Sequence, residues 1–133
     1  MEEEIRKHLS RQFGVGDIGL RFYLGGKNRV YAYKECDVEI EAAREGIYFG
    51  TIEEDGIRLS IEGSFIIGKH AKKNVIEVDE EQAKRWLRGE DLELSLAGYW
   101  IVRWGKYYLG CGKGNGKILK NFVPKNRRIT NHF

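Results

Sequence analysis

At 133 residues, 41% hydrophobic and 12% aromatic, the chain has the size and apolar content of one packed domain, which excludes a disordered tail and leaves no comfortable room for two. It contains no run of 18 apolar residues, so no membrane-spanning helix is expected, and its acidic start, Glu2-Glu3-Glu4, is unlike a secretory or organellar leader, so the cytoplasm is the expected location. The net charge of +3 hides an asymmetry: from Tyr99 onward there is no Asp or Glu but eight bases (Arg103, Lys106, Lys113, Lys117, Lys120, Lys125, Arg127 and Arg128), while all 20 acids precede them. A segment of this kind attracts polyanions. Its bases alternate with strand-forming aromatics and aliphatics, so a folded binding face is expected rather than a solvated tail.

In chain order, residues 2–13 are predicted to form an amphipathic helix, with Ile5, Leu9 and Phe13 on one stripe, acids in the first turn and bases further on. Gly14, Gly16 and Gly19 break it. Residues 20–24 and 30–33 read as paired strands around Gly25-Gly26-Lys27-Asn28. Asp37 is a candidate cap for a short helix ending at Gly46, with Ile40 and Ala43 inward. Residues 47–52 and 57–61 form a second predicted hairpin around Glu53-Glu54-Asp55-Gly56, and a short strand is expected at 64–67.

The clearest helix follows: Asp79 with Gln82 three residues on makes a capping-box pattern, Ala83, Trp86 and Leu87 share a face, and Gly89 closes the helix. Residues 99–104, 107–111, 117–122 and 125–129 are strand-like, with turns at Gly105-Lys106 and Lys113-Gly114-Asn115-Gly116. Many short strands with two or three helices predict an α+β, mostly β domain: a small antiparallel or mixed barrel with helices packed on it.

Candidate chemistry is sparse. The cluster Gly110, Gly112, Gly114, Gly116 fails as a phosphate loop, because Cys111 stands where the first glycine belongs and Ile118 where Ser or Thr would bind magnesium. It fails as a dinucleotide motif for want of a glycine three after Gly112. Positive-φ turn geometry accounts for Gly114 and Gly116. Gly110 and Gly112 inside a strand instead mark close approach of a backbone or ligand. His8, His70 and His132 lack ligand spacing, so no metal and no cofactor is expected. Cys36 and Cys111 read as reduced thiols, with a disulfide as the alternative. Trp86 is expected in the core. Among Trp100, Trp104, Tyr107 and Tyr108, those that point outward beside Arg103 and Lys106 suit base stacking, and those that point inward belong to the core.

The run Leu109-Gly110-Cys111-Gly112-Lys113, then Gly116-Lys117, then Leu119-Lys120-Asn121-Phe122-Val123-Pro124-Lys125 with Arg127 and Arg128, resembles the end of the RNA-binding domain of Sun-family (Fmu-type) RNA 5-methylcytosine methyltransferases. Val78 to Glu90, with its Trp86-Leu87-Arg88-Gly89 core, and Gly46-Ile47-Tyr48-Phe49-Gly50 are similar to that family as well. The likeness is strong after residue 75 and looser back to residue 29. Cys111 replaces the family's aromatic, and Phe122-Val123 stands where His-Tyr is common. The only proline is Pro124, so the Pro-Cys catalytic setting of the methyltransferase body is missing from these residues. The resemblance thus implies a PUA-like RNA-binding domain over residues 29–128, preceded by a helix and lead-in at 1–28, with no catalysis of its own.

The expected ligand is structured RNA, tRNA or rRNA, bound by a monomer in RNA modification or ribosome biogenesis, with a methyltransferase catalytic subunit as a further partner. Arg103, Lys106, Lys113, Lys117, Lys120, Lys125, Arg127 and Arg128 are expected to meet phosphates, and Gly110 and Gly112 to let the RNA backbone approach. Asn121 either reads a base edge or ties down the turn before Pro124. The alternative from another class is a protein–protein adaptor that uses the aromatic strands as an apolar patch.

Overall fold

The computed structural model describes residues 2–34 and 46–129. The helix expected after Asp37, Cys36 and His132 lie outside the described residues.

The first helix, α1 (Glu2–Phe13), buries Ile5, Leu9 and Phe13 with His8 and Gln12. Strands β1 (Leu20–Leu24), β2 (Arg29–Lys34), β3 (Ile47–Glu53) and β4 (Gly56–Leu59) form an antiparallel sheet in that order. Gln12 reaches from α1 to the free edge of β4: its amide nitrogen donates to the Ile57 carbonyl at 2.9 Å, and its oxygen accepts from the Ile57 N–H at 2.8 Å. One side chain thus satisfies an edge that would otherwise offer itself to another strand. Residues 2–28, expected as a lead-in, supply α1 and β1 to the same core as the strands that follow.

The strand expected at 64–67 is a helix. Its Ile and Phe residues favour a strand, but β4 stops at Leu59 and Ser60 caps α2 (Ile61–Gly68), its hydroxyl accepting from the Gly63 N–H at 2.9 Å. Gly63 lets α2 lie directly on β3, since a Cβ there would fall 2.1 Å from the Phe49 carbonyl oxygen.

A second four-stranded sheet contains β5 (Val75–Glu77), β6 (Ala97–Trp104), β7 (Tyr107–Asn115) and β8 (Leu119–Lys120), with α3 (Glu80–Leu87) between β5 and β6. β5 was missed in the sequence because it is three residues long. It runs parallel to β6 and so needs the α3 crossover. The α3 capping box forms as expected, with the Asp79 carboxylate accepting from the Gln82 N–H and the Gln82 side chain accepting from the Asp79 N–H. Of the strand expected at 117–122, only Leu119–Lys120 pairs with β7, because the Asn115 side-chain oxygen Oδ1 accepts from the N–H groups of Lys117 and Ile118 and holds a turn there. The strand expected at 125–129 is a single 3-10 turn, Lys125–Arg127, set by Pro124.

The second sheet divides two cores. On one face Tyr99, Ile101 and Cys111 join the first sheet and α1; on the other Val102, Leu109, Leu119 and Val123 pack with Ala83 and Trp86 of α3. The α+β, mostly β class is as expected, but the strands make two sheets stacked through a shared core and not a closed barrel.

Candidate nucleic-acid interface

The glycines within β7 have a structural cause. Trp86 is fully buried, and its indole lies along the face of β7 where Gly110 and Gly112 alternate with Cys111. A Cβ on Gly112 would fall 2.7 Å from the Trp86 ring, 2.8 Å from Leu119 and 2.8 Å from the Lys120 carbonyl oxygen. On Gly110, which also has φ +130°, the nearest atom would be the Trp86 nitrogen. That nitrogen donates to the Leu109 carbonyl at 3.1 Å. The close approach at Gly112 is therefore that of the protein's own tryptophan, while Gly110 is required by its positive φ. Both are buried within β7, and Gly110 lies in the wall of the pocket described below.

Asn121 is also inward. Its amide nitrogen donates to the Trp86 and Glu90 carbonyls at 2.8 and 3.0 Å, its oxygen accepts from the Val123 N–H at 2.7 Å, and its own N–H donates to Asp91 at 2.8 Å. Of the two roles open to it, the structure gives it the tie: it holds the end of α3 to the segment after β8. Arg128 does similar work, donating to the Val123 carbonyl at 2.9 Å and packing over Gly89.

The remaining bases separate into compensated and uncompensated groups. Lys113 pairs with Asp55 at 2.9 Å and lies over the Tyr99 ring. The Asp55 carboxyl is held below its ordinary range, first by the Tyr99 hydroxyl and then by Lys113. Arg127 pairs with Glu62 at 2.9 Å. Arg103 pairs with Glu77 at 3.0 Å, and that carboxylate is lowered by the Gly105 N–H and by Arg103. Acids of the preceding chain thus fold back onto the basic segment. Among the described residues, Lys106, Lys117, Lys120 and Lys125 have no acidic partner and are exposed. Lys106 stands at the turn between β6 and β7, beside Tyr107, which is 54% exposed. Lys117 and Lys120 sit toward the opposite end of that hairpin, before and on β8, and Lys125 follows where the chain runs back antiparallel to β7. Lys120 is cross-strand partner to Lys113, so the two leave the same face of the sheet.

The basic segment also borders a pocket of about 310 Å³ that the sequence did not reveal. Its wall combines Phe122 and Arg127 from the C-terminal segment with Arg29, Tyr48, Arg58 and Ser60 from the first sheet and the start of α2. The Arg58 guanidinium lies 4.1 Å above the Phe122 ring, on whose other neighbour, Lys120, the ammonium is 5.5 Å from the ring centre. Arg29 lies 5.9 Å from the Tyr48 ring centre. These three N-terminal residues are far from Phe122 in sequence, and only pairing of β2, β3 and β4 brings them together, so no local spacing signals them.

Among the described residues, no activated nucleophile is present. Cys111 is enclosed, and burial pushes its thiol up to about 12, so the thiol stays protonated near neutrality. Among the described residues, no three His, Cys, Asp or Glu side chains cluster as metal ligands, and no helix is long and apolar enough to cross a membrane.

Residues 73–129, from β5 through the Asn121 tie, match the family described as the methyltransferase RsmF PUA domain. That stretch of the chain is similar to this PUA domain. The wider chain is similar to proteins named ribosomal RNA small subunit methyltransferase F: 26% identical over 92% of its length to that of Aeromonas salmonicida and 30% over 71% to that of Photobacterium profundum. A shorter stretch, 42% of the chain, is 40% identical to the protein of Shewanella oneidensis. These matches take in 27%, 21% and 13% of the respective relatives, so the chain spans about a quarter of such a protein or less.

Proposed function

We propose that the chain works as one non-catalytic domain that binds structured RNA during ribosomal RNA methylation. The relatives named for small-subunit ribosomal RNA make that RNA the first candidate, ahead of tRNA, and methyl transfer then belongs to a catalytic body beyond these residues. The observation that carries the reading is the selective compensation of charge: acids neutralise Lys113, Arg127 and Arg103, yet Lys117, Lys120 and Lys125 stay exposed and unpaired around β8. Phosphates are the ligands that such a group meets without leaving a buried charge unpaired. Lys106 and Tyr107 at the far end of the hairpin provide a second point of contact for an extended, structured RNA.

Fluorescence anisotropy with fragments of small-subunit ribosomal RNA and with a tRNA pool, titrated across salt concentration, tests this. If about four to six cations meet phosphates, log K should fall against log[salt] with a slope of about −3 to −5. A slope near zero would overturn RNA binding and favour the adaptor, whose apolar contacts are nearly indifferent to salt. Incubation with labelled S-adenosylmethionine and total RNA should leave the RNA unlabelled; incorporation above a boiled control would overturn the non-catalytic reading.

A further inference from the structure

We propose that the pocket between the two sheets receives a single unstacked nucleotide, base and phosphate together, presented by a single-stranded stretch of RNA. The proposal rests on the RNA-binding reading and adds to it a site that the exposed lysines do not define. Three guanidinium groups line the pocket: Arg127 is paired with the lining Glu62 and Arg58 with Glu53, while Arg29 has no acidic partner among the described residues. The free guanidinium of Arg29 favours an anion there. Two aromatic rings, Tyr48 and Phe122, select a flat, π-bearing group beside the anion. Arg58 shows that the geometry suits stacking, since its guanidinium already lies 4.1 Å over Phe122. Its Nε is also buried without a hydrogen-bond acceptor, the only such side-chain atom among the described residues, although Glu53 lies 3.4 Å away. A buried donor left in this state is normally completed by a ligand or water.

Size decides between one nucleotide and a helix. About 310 Å³ lies at the small end of ligand pockets, roughly 300–1,000 Å³, enough for a small planar group and its phosphate and far too little for paired strands. Unpaired bases that are splayed out and stacked on aromatic rings or guanidinium planes are the usual means of reading RNA away from a helix. Lys120, whose ammonium lies 5.5 Å from the Phe122 ring centre, places the uncompensated lysines where the strand that carries this nucleotide would continue. The pocket and the lysines then form one track.

The test uses the whole chain and an eight-nucleotide single-stranded RNA with one central 2-aminopurine, whose fluorescence drops on stacking. Binding should quench it severalfold. In Tyr48→Leu the quench should disappear, and affinity should fall about tenfold, in keeping with a lost base–aromatic stack. Arg29→Met, which changes an exposed side chain on β2, should weaken binding without a change in melting temperature, so that the test stands even if Tyr48→Leu folds poorly. RNA bound without quenching, or bound equally by Arg29→Met, would overturn the pocket and leave the lysine surface standing. Adenosine monophosphate is the control for the other failure. If no RNA binds but the monophosphate shifts the Arg29 and Tyr48 amide resonances, the nucleotide pocket stands and the RNA reading falls. If neither binds, both fall.

Discussion

The C-terminal half, from β5 onward, and the N-terminal half, α1 through α2, divide the work in a way their sequences do not suggest. The C-terminal half carries the stretch that the family model matches, yet its most distinctive residues (Trp86, Gly110, Gly112 and Asn121) face inward and hold α3, β7 and the last segment together. The N-terminal half lies outside the family match and contributes Asp55 and Glu62, which neutralise Lys113 and Arg127, together with Arg29, Tyr48 and Arg58 of the pocket wall. The difference teaches that a signature rich in Gly and Lys can be mostly a folding instruction. The surface that remains is shaped by what the other half chooses to cancel.

The largest effect should come from emptying the slot in the C-terminal half. Trp86→Ala removes the largest fully buried side chain and should destabilise by about 3–5 kcal/mol, read by chemical denaturation. Gly112→Ala should cost about 1–3 kcal/mol through overpacking. In the Trp86→Ala background that penalty should shrink, because the ring that the new Cβ meets is gone. Additive penalties would break the slot account and return Gly112 to the role of a ligand approach.

Next in size is the tie. Asn121→Ala strips two donors from the carbonyls of Trp86 and Glu90 and an acceptor from the Val123 N–H, and should cost about 1–3 kcal/mol. If Asn121 read a base instead, melting would be unchanged and RNA affinity alone would fall.

These positions show what the sequence made legible. Periodicity placed α1, the capping box placed α3, and alternating apolar residues with glycine turns placed both hairpins, because each is written in neighbouring residues. The α2 helix was hidden: its Ile and Phe residues favour a strand, and the cause of the helix is the Ser60 cap with Gly63 lying against the Phe49 carbonyl, a contact across the fold. The same limit applied to the site. Net charge located the basic segment, but which bases stay free depends on Asp55, Glu62 and Glu77 arriving from other strands and loops. The pocket exists only once β2 and β4 stand opposite Phe122.

A smaller effect tests the N-terminal half, where Glu2 accepts from Arg21 and from the Phe22 N–H. These bonds hold its carboxyl at about 2 against an ordinary 4.5. A carboxyl lowered on folding stabilises the protein above its unfolded value and loses that contribution as pH falls toward the folded one. Glu2→Gln should therefore lower the melting temperature at pH 7, and the difference from the parent should close between about pH 4.5 and pH 2. A gap that persists at pH 2 would mean that the Glu2 side chain anchors α1 to β1 through contacts that do not need its charge. Trp86→Ala, by contrast, should show no such closing.

The smallest effect on stability, and the sharpest on function, should come from the uncompensated lysines. Lys117 and Lys120 are exposed and have no acidic partner among the described residues, so replacing both with Ala should leave stability within about ±0.5 kcal/mol. If both meet phosphates, the salt slope should become shallower by about 1.5 to 2, the sum of two single contacts. Lys113→Ala is the internal control. It shares a face with Lys120 but is already paired with Asp55, so an RNA phosphate would have to displace a carboxylate to reach it. Its loss should change the slope less than the loss of Lys120 does. Equal slopes for Lys113→Ala and Lys120→Ala would show that the Asp55 pair opens on binding, and the division into cancelled and free charge would then hold only for the unbound protein.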